Sequence, residues 1–296
     1  MTPSKFQLNY SYYPGCSLHA SGKEYDISTR GLFKALKIGL KEVPDWFCCG
    51  ATPAHNVDEL LSLSLCAKNL SLADNVEGDL AVACAACFSR LKTAQHKLAG
   101  NDTQRKQVES AIAEPVSLTK PVKHLLEILA RDYGLDKLKG AVKKPLSGLK
   151  VACYYGCLLT RPPDVPELDC VEAPTIMEDV LNAVGAETVS WSHRLECCGA
   201  NFTLSRPGVV LQLSNAILDS AKAAGAECIL VACPLCHGNL DIRQKEIEEG
   251  YNTHYNMPVF YITQMVGLAV GVPATRLGLE SMMVNPLPLL KGKKLL

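Results

Sequence analysis

Ten of the fourteen cysteines in this chain fall into two sets of five that repeat one spacing. The first set is Cys16, the adjacent pair Cys48 and Cys49, and the Cys-x-x-Cys of Cys84 and Cys87. The second is Cys157, the pair Cys197 and Cys198, and the Cys-x-x-Cys of Cys233 and Cys236. In both sets 34 residues separate the pair from the Cys-x-x-Cys. The first cysteine precedes the pair by 31 intervening residues in one set and 39 in the other. The longer gap contains Arg161-Pro162-Pro163-Asp164-Val165-Pro166, the composition of an inserted loop.

A Cys-x-x-Cys at the mouth of a helix brings two sulfurs within reach of one centre, and the free N–H groups there favour thiolate. Thioredoxin-like and zinc sites use the same spacing. Cys-Cys-Gly is rarer. Neighbouring side chains on extended backbone point to opposite sides, so both serve one centre only through a bend, which Gly50 and Gly199 permit. Five thiols exceed the four that a structural zinc or an ordinary cubane cluster needs. Each set therefore reads as an iron cluster of unusual form or as a four-ligand site with a spare. Zinc in one of the two sites is the competing structural reading.

The elements that must position these cysteines repeat too. Leu80-Ala81-Val82-Ala83 precedes Cys84, and Ile229-Leu230-Val231-Ala232 precedes Cys233, both short apolar runs of buried strands. Strands are expected at Leu8 to Tyr13 and Leu149 to Tyr155, each running into a first cysteine, and at Val43 to Phe47 and Thr188 to Trp191, each leading to a pair. Helices are expected near Ser28 to Leu40, Val57 to Asp74, Thr175 to Val184 and Gly208 to Ala224. Pro121 and Pro258 each read as the first turn of a late helix. Alternating strands and helices predict an α/β fold of two duplicated Rossmann-like domains, parallel strands flanked by helices, with one Cys-Cys-Gly metal site per domain. The expected domains are 1–143 and 149–296, joined by a linker at 144–148. The cysteines fall at strand ends, where ligand sites gather in open α/β sheets.

Bulk composition narrows the function. Hydrophobic residues make up 48 % and charged residues 20 %, a folded composition, and 30 basic residues balance 30 acidic ones. That balance gives no electrostatic case for nucleic acid or an anionic membrane. Met1 to Tyr10 has no apolar signal-peptide core, so a cytoplasmic location is expected and a disulfide framework is not. The apolar stretch from Pro258 to Pro273 is too short for a membrane span.

The complete pattern, Cys-x31-Cys-Cys-Gly-x33-Cys-x-x-Cys followed by Cys-x39-Cys-Cys-Gly-x33-Cys-x-x-Cys, resembles the tandem CCG domain. Tyr13-Pro14-Gly15-Cys16-Ser17-Leu18, Cys48-Cys49-Gly50-Ala51-Thr52-Pro53-Ala54-His55 and Val151-Ala152-Cys153-Tyr154-Tyr155-Gly156-Cys157 resemble the B subunit of heterodisulfide reductase. The resemblance implies two noncubane [4Fe–4S] clusters, each held by the five cysteines of one set. It implies reductive cleavage of a disulfide, that of coenzymes M and B or a related one, between the two clusters. It also implies a small ferredoxin-like C subunit with cubane clusters and a flavin-containing A subunit as partners. The alternative is an electron-transfer CCG subunit of a lactate- or succinate-type oxidoreductase or of an oxidative sulfur-metabolism complex. The chain has neither a Cys-x-x-Cys-x-x-Cys run nor a Gly-x-Gly-x-x-Gly fingerprint, so its electrons are expected to come from a partner protein.

Three polar residues flank the motifs as candidates for contact with substrate or cluster sulfur: His55, Asn201 and His237. Of the four remaining cysteines, Cys66 and Cys228 read as core fillers. Cys153 is expected near the second site, and Cys170 falls in the insertion with no assigned role.

Overall fold

Both Cys-x-x-Cys motifs begin helices because a buried parallel strand delivers the chain to them. The computed structural model describes residues 8–51 and 53–296. Residues 1–7, the start of the expected N-terminal domain and of the Met1 to Tyr10 segment, lie outside the described residues, as does Thr52 of the first Cys-Cys-Gly stretch.

In chain order the first half contains β1 (Leu8–Tyr13), α1 (Cys16–His19), α2 (Lys23–Ala35), β2 (Ile38–Glu42), α3 (Ala54–Val57) and α4 (Glu59–Asp74). It continues with β3 (Asp79–Val82), α5 (Ala85–Ala99), α6 (Asp102–Ile112), β4 (Val122–His124), α7 (Leu125–Glu127) and α8 (Leu135–Ala141). The second half contains β5 (Lys150–Tyr154), α9 (Ile176–Ala183), β6 (Glu187–Thr188), α10 (Pro207–Ala223), β7 (Cys228–Val231) and α11 (Pro234–His237). It ends with α12 (Gln244–Tyr251), β8 (Val259–Tyr261), α13 (Ile262–Ala269) and α14 (Leu287–Gly292).

The strands form two four-stranded sheets of the same order, β2-β1-β3-β4 and β6-β5-β7-β8. Every pairing is parallel. The α/β architecture of two duplicated, Rossmann-like units with helix-flanked parallel sheets is thus present. Strand β7 is buried along its whole length, as a parallel strand covered on both faces must be.

Several element boundaries differ from expectation. The helix expected over Ser28 to Leu40 ends at Ala35, because Lys37 adopts φ 57° and Ile38 pairs with Leu8 in β2. The apolar row Leu36, Ile38, Leu40 has the period of a strand. The strand expected over Val43 to Phe47 is a loop, since Asp45 turns left-handed at φ 56° after one last ladder bond from Val43 N to Tyr12 O. The strand expected to reach Trp191 is only Glu187–Thr188; Trp191 instead donates its indole N–H to Cys153 O at 3.1 Å. Pro121 and Pro258 do not open helices. Each precedes a three-residue edge strand, and their carbonyls accept Leu80 N at 2.8 Å and Ile229 N at 3.0 Å. An edge position tolerates the missing proline N–H. Residues 155–175 contain no strand or α-helix, in keeping with an inserted loop.

The halves meet through α2 and α13. Ser28 Oγ and Thr263 Oγ1 lie 2.7 Å apart, fully buried. One turn away, Tyr25 and Tyr261 stack at 4.1 Å between ring centroids. One continuous apolar core runs through both sheets and this junction.

Candidate metal centres

Each half builds its cysteine set with the same parts. Gly15 (φ 74°) and Gly156 (φ 63°) deliver Cys16 and Cys157 from the ends of β1 and β5. A Cβ on Gly15 would sit 3.0 Å from Cys87 Sγ, and one on Gly156 would sit 3.2 Å from Cys236 Sγ. Any side chain there would push into the sulfur of the set's last cysteine. Gly50 (φ 71°) and Gly199 (φ 77°) make the bend after each pair. Their N–H groups then point back at Cys48 Sγ, at 3.4 Å, and Cys197 Sγ, at 3.3 Å. Cys84 and Cys233 are the N-caps of α5 and α11, and the backbone N–H of Cys87, or those of Leu235 and Cys236, favour their thiolate forms.

Two tyrosines that sequence reasoning passed over hold the loops before the pairs. Tyr13 donates its hydroxyl to Phe47 O at 2.7 Å, and Tyr154 donates to Glu196 O at 2.6 Å. Each accepting residue immediately precedes a Cys-Cys-Gly. Both tyrosines lie near the thiols of their own set. The alternation of strand side chains therefore sends Cys153, the neighbour of Tyr154, to the other face. Its environment is Glu178, Arg194 and Cys228, so Cys153 does not touch the second site, contrary to expectation.

The thiols are strung out rather than gathered about a point. Cys16 and Cys48 approach to 3.6 Å, Cys49 and Cys87 to 3.2 Å, Cys157 and Cys197 to 3.9 Å, and Cys198 and Cys236 to 3.6 Å. Cys84 and Cys233 interact side chain to side chain across the boundary between halves. Among the described residues no three His, Cys, Asp or Glu side chains converge as the donors of one ion do. In each set of five, three thiols are buried, Cys49, Cys84 and Cys87 or Cys198, Cys233 and Cys236. Cys16, Cys48 and Cys197 are exposed and Cys157 is half-buried. A five-thiol donor set with N–H groups aimed at sulfur fits a polynuclear iron–sulfur group, whose irons sit apart, better than a mononuclear ion.

The sulfur pairs have unequal acidity. The hydrogen bond from Cys16 draws the Cys48 thiol far down, and that from Cys157 draws Cys197 down to about 6. The N–H groups of Gly50 and Ala51, or of Gly199 and Ala200, add to the effect. Cys16 and Cys157 are pushed up by the same bonds and by burial. Cys233 is likewise drawn down, by hydrogen bonds from Cys236 and Cys84, so ionisation is favoured at Cys48 in the first set and at Cys197 and Cys233 in the second.

A cavity of about 130 Å³ lies against the second set. All five cysteines of the second set line it, and no cysteine of the first half does. The first half supplies Ala51, Ala85 and Arg90 to its lining. Of the three flanking candidates, only Asn201 lines this cavity. His237 is buried, 2 % exposed, and stacks on Tyr261 at 4.3 Å, with Glu24 Oε1 4.0 Å from its Nδ1. Burial lowers its pKa to about 4. His55 is neighboured by Arg90, and burial, then that cation, lowers its pKa.

Sequence reasoning also missed Asn239, three residues beyond Cys236. Its amide donates to Cys198 O at 3.0 Å and to Cys198 Sγ at 3.5 Å. In the first half Cys66 takes the corresponding carbonyl, with Sγ 3.5 Å from Cys49 O. Cys66 is buried, a core thiol. Cys228 is buried in β7, and Cys170 is exposed in the insertion.

Comparison with known proteins returns the same duplication. The cysteine-rich domain family CCG matches at residues 10–92 and again at 151–241. The chain is 33 % identical over 282 residues to the 8-methylmenaquinol:fumarate reductase membrane anchor subunit of Wolinella succinogenes, covering 94 % of this chain and 98 % of that one. It is 30 % identical over 278 residues to the B subunit of the ferredoxin:CoB-CoM heterodisulfide reductase of Methanosarcina mazei, covering 91 % and 92 %. A protein of Archaeoglobus profundus, described as like the B subunit of heterodisulfide reductase, is 28 % identical, covering 89 % and 91 %. In fold, a hypothetical protein from Helicobacter pylori superposes with a TM-score of 0.76 at 12 % identity, over 96 % of this chain and 53 % of that one. No helix among the described residues is long and apolar enough to cross a membrane.

Proposed function

Since the chain belongs to the cysteine-rich CCG domain family, with two copies of the domain and the iron–sulfur binding that membership implies, we propose that it is the disulfide-cleaving subunit of an oxidoreductase complex. In this reading Cys16, Cys48, Cys49, Cys84 and Cys87 hold one noncubane [4Fe–4S] cluster. Cys157, Cys197, Cys198, Cys233 and Cys236 hold the other. The observation that carries the reading is the meeting of the two thiol sets at Cys84 and Cys233, beside a cavity walled by both halves.

The clusters, when bound, supply electrons one at a time. Cleavage of R–S–S–R′ takes two electrons and two protons and yields two thiols. The chain's own contribution is placement. Leu158, Phe202 and Leu235 make the cavity apolar and limit water, and Asn201 offers an amide to one end of the substrate. The electrons come from partner subunits, of which a ferredoxin-like C subunit and a flavin-containing A subunit fit the resemblance. The names of several relatives, each one component of a larger reductase, support membership of a multisubunit assembly.

The test is anaerobic spectroscopy of the metal-loaded protein with a series of disulfides. A paramagnetic state that appears with one disulfide, together with disulfide-dependent oxidation of reduced methyl viologen, supports the reading. A protein that holds only zinc and is colourless overturns it. The second reading, an electron-transfer subunit of a quinol- and fumarate-linked complex, is favoured by the 33 % identity to the Wolinella protein. Under it, the purified complex oxidises a menaquinol with fumarate and ignores disulfides.

A further inference from the structure

A buried acid sits where the two halves meet. Glu24, in the first turn of α2, is buried, and its Oε1 lies 4.0 Å from Nδ1 of His237 in the second half. His237, Tyr261 and Tyr25 form one stack, with ring centroids 4.3 and 4.1 Å apart and both pairs of planes inclined by 13°. The Tyr261 hydroxyl, in the middle of the stack, also faces the Glu24 carboxyl, without an ordinary hydrogen bond. At the far end the Tyr25 hydroxyl is buried with no hydrogen-bond partner. The ionisable groups that act on it are the thiols of Cys84 and Cys233.

A carboxyl buried without a cation favours its protonated form. Among the described residues no lysine or arginine pairs with Glu24, and burial raises its pKa. The groups that face it are His237 from α11, Tyr261 from the end of β8 and Asp241 from the turn after α11. None is a cation. Burial keeps His237 neutral, and Asp241 is held by the N–H groups of Met283 and Val284 at 2.7 and 3.1 Å. Gly278 packs on Glu24 from the last loop and brings no titratable side chain. The Glu24 side chain keeps 8 % exposure, against 3 % for His237 and 0 % for both tyrosines. Glu24 is thus the outermost of a file of proton-carrying groups, and the innermost adjoins the meeting point of the two thiol sets.

We propose that Glu24 is the proton donor for reduction at this junction, passing protons along the Tyr261 and Tyr25 hydroxyls to the Cys233 edge of the cavity. The proposal rests on the reading that a disulfide is cleaved there, since cleavage of R–S–S–R′ consumes two protons with its two electrons. The electrons, from the donor, break the S–S bond and leave two thiolates. Each thiolate takes one proton from the relay, and solvent reprotonates Glu24 after each transfer. Glu24 does not line the cavity and acts only through the tyrosines.

The test uses the metal-loaded protein with reduced methyl viologen as donor and the neutral bis(2-hydroxyethyl) disulfide as substrate. In Glu24→Gln, kcat falls about tenfold or more with KM unchanged, a loss of acid catalysis softened by a slower solvent route. In the wild type kcat falls as pH rises through the raised pKa of Glu24, because the donor must carry its proton. Glu24→Gln loses that limb, and Glu24→Asp restores part of it. A second readout needs no disulfide. An electron arriving at the thiol sets raises the proton affinity of a nearby buried acid, so the midpoint potentials of the wild-type centres fall as pH rises, and those of Glu24→Gln fall clearly less. Turnover with the same kcat and pH profile in Glu24→Gln sinks the relay and leaves cleavage standing. A Glu24-dependent pH slope of the potentials, with no disulfide turned over, leaves the relay standing and sinks the cleavage reading. Where Glu24→Gln loses iron, Tyr261→Phe decides, since it keeps the ring stack and removes only the hydroxyl. An unchanged kcat in that variant overturns the proposal, and a loss like that of Glu24→Gln supports it.

Discussion

Cys84 and Cys233 face each other across the junction of the two halves, each the N-cap of the helix that opens its own Cys-x-x-Cys. A change at one is therefore felt at the other. Cys84→Ser is expected to alter the electron paramagnetic resonance of the second-half centre as well as the first. Superimposable second-half spectra in wild type and variant would show that the two centres are electronically separate.

Under the proposed ligand assignment, by contrast, the buried thiols within a set serve one centre. Cys49→Ala is expected to cut iron to about half, because removing a ligand releases a local centre while the other half keeps its own sheet and its own five thiols. Cys198→Ala should do the same for the second half. Full iron content combined with intact disulfide reduction in either variant would show that the ligand assignment is wrong.

The tyrosine anchors differ in backup. Phe47 O accepts from Asn69 Nδ2 at 3.1 Å as well as from Tyr13, whereas Glu196 O has only Tyr154 among the described residues. Tyr154→Phe should thus cost about 1 kcal/mol in urea unfolding and Tyr13→Phe clearly less. Equal losses would mean that the hydroxyls do not act through these carbonyls.

His124 makes stability pH-dependent. Its Nδ1 accepts Leu126 N at 3.2 Å and its Nε2 donates to Ala83 O at 3.0 Å, so the ring is neutral, and burial lowers its pKa from 6.5 to about 4. The folded pKa lies below the unfolded one. The contribution is then complete above pH 6.5 and is lost as pH falls toward 4, about 3 kcal/mol in all. His237 acts in the same window and sense. Asp241, raised from 3.8 to about 6 by burial, works in the opposite sense, its contribution complete below 3.8 and lost as pH rises through 6. His124→Asn should flatten the fall in melting temperature between pH 6.5 and 5, and an unchanged slope would assign that fall to other groups.

The cysteine repeat was legible because spacing survives in a sequence where packing does not. Strand β1 and helices α4 and α10 were legible for the same kind of reason, namely that period and punctuation agree there. Strand β2 was not, since its short alternating row Leu36, Ile38 and Leu40 follows the helix without punctuation, and the left-handed turn at Lys37 that separates them falls on a residue type that does not signal it. Strands β4 and β8 hid behind prolines whose other common place is a helix start. At the site, adjacency to a motif misled for His237, which faces the junction stack and not the cavity. The informative positions, Arg90 and Asn239, lie one helical step past the second cysteine, and only the fold shows that the two halves use that step differently.

The close sulfur approaches carry one more consequence, for handling the protein outside the cell. Cys49 and Cys87 lie 3.2 Å apart, and a small shift brings them to bonding distance. Air therefore competes with iron for the same atoms. Any chain that meets oxygen before it is loaded will close these thiols into disulfides and refuse metal until a reductant reopens them.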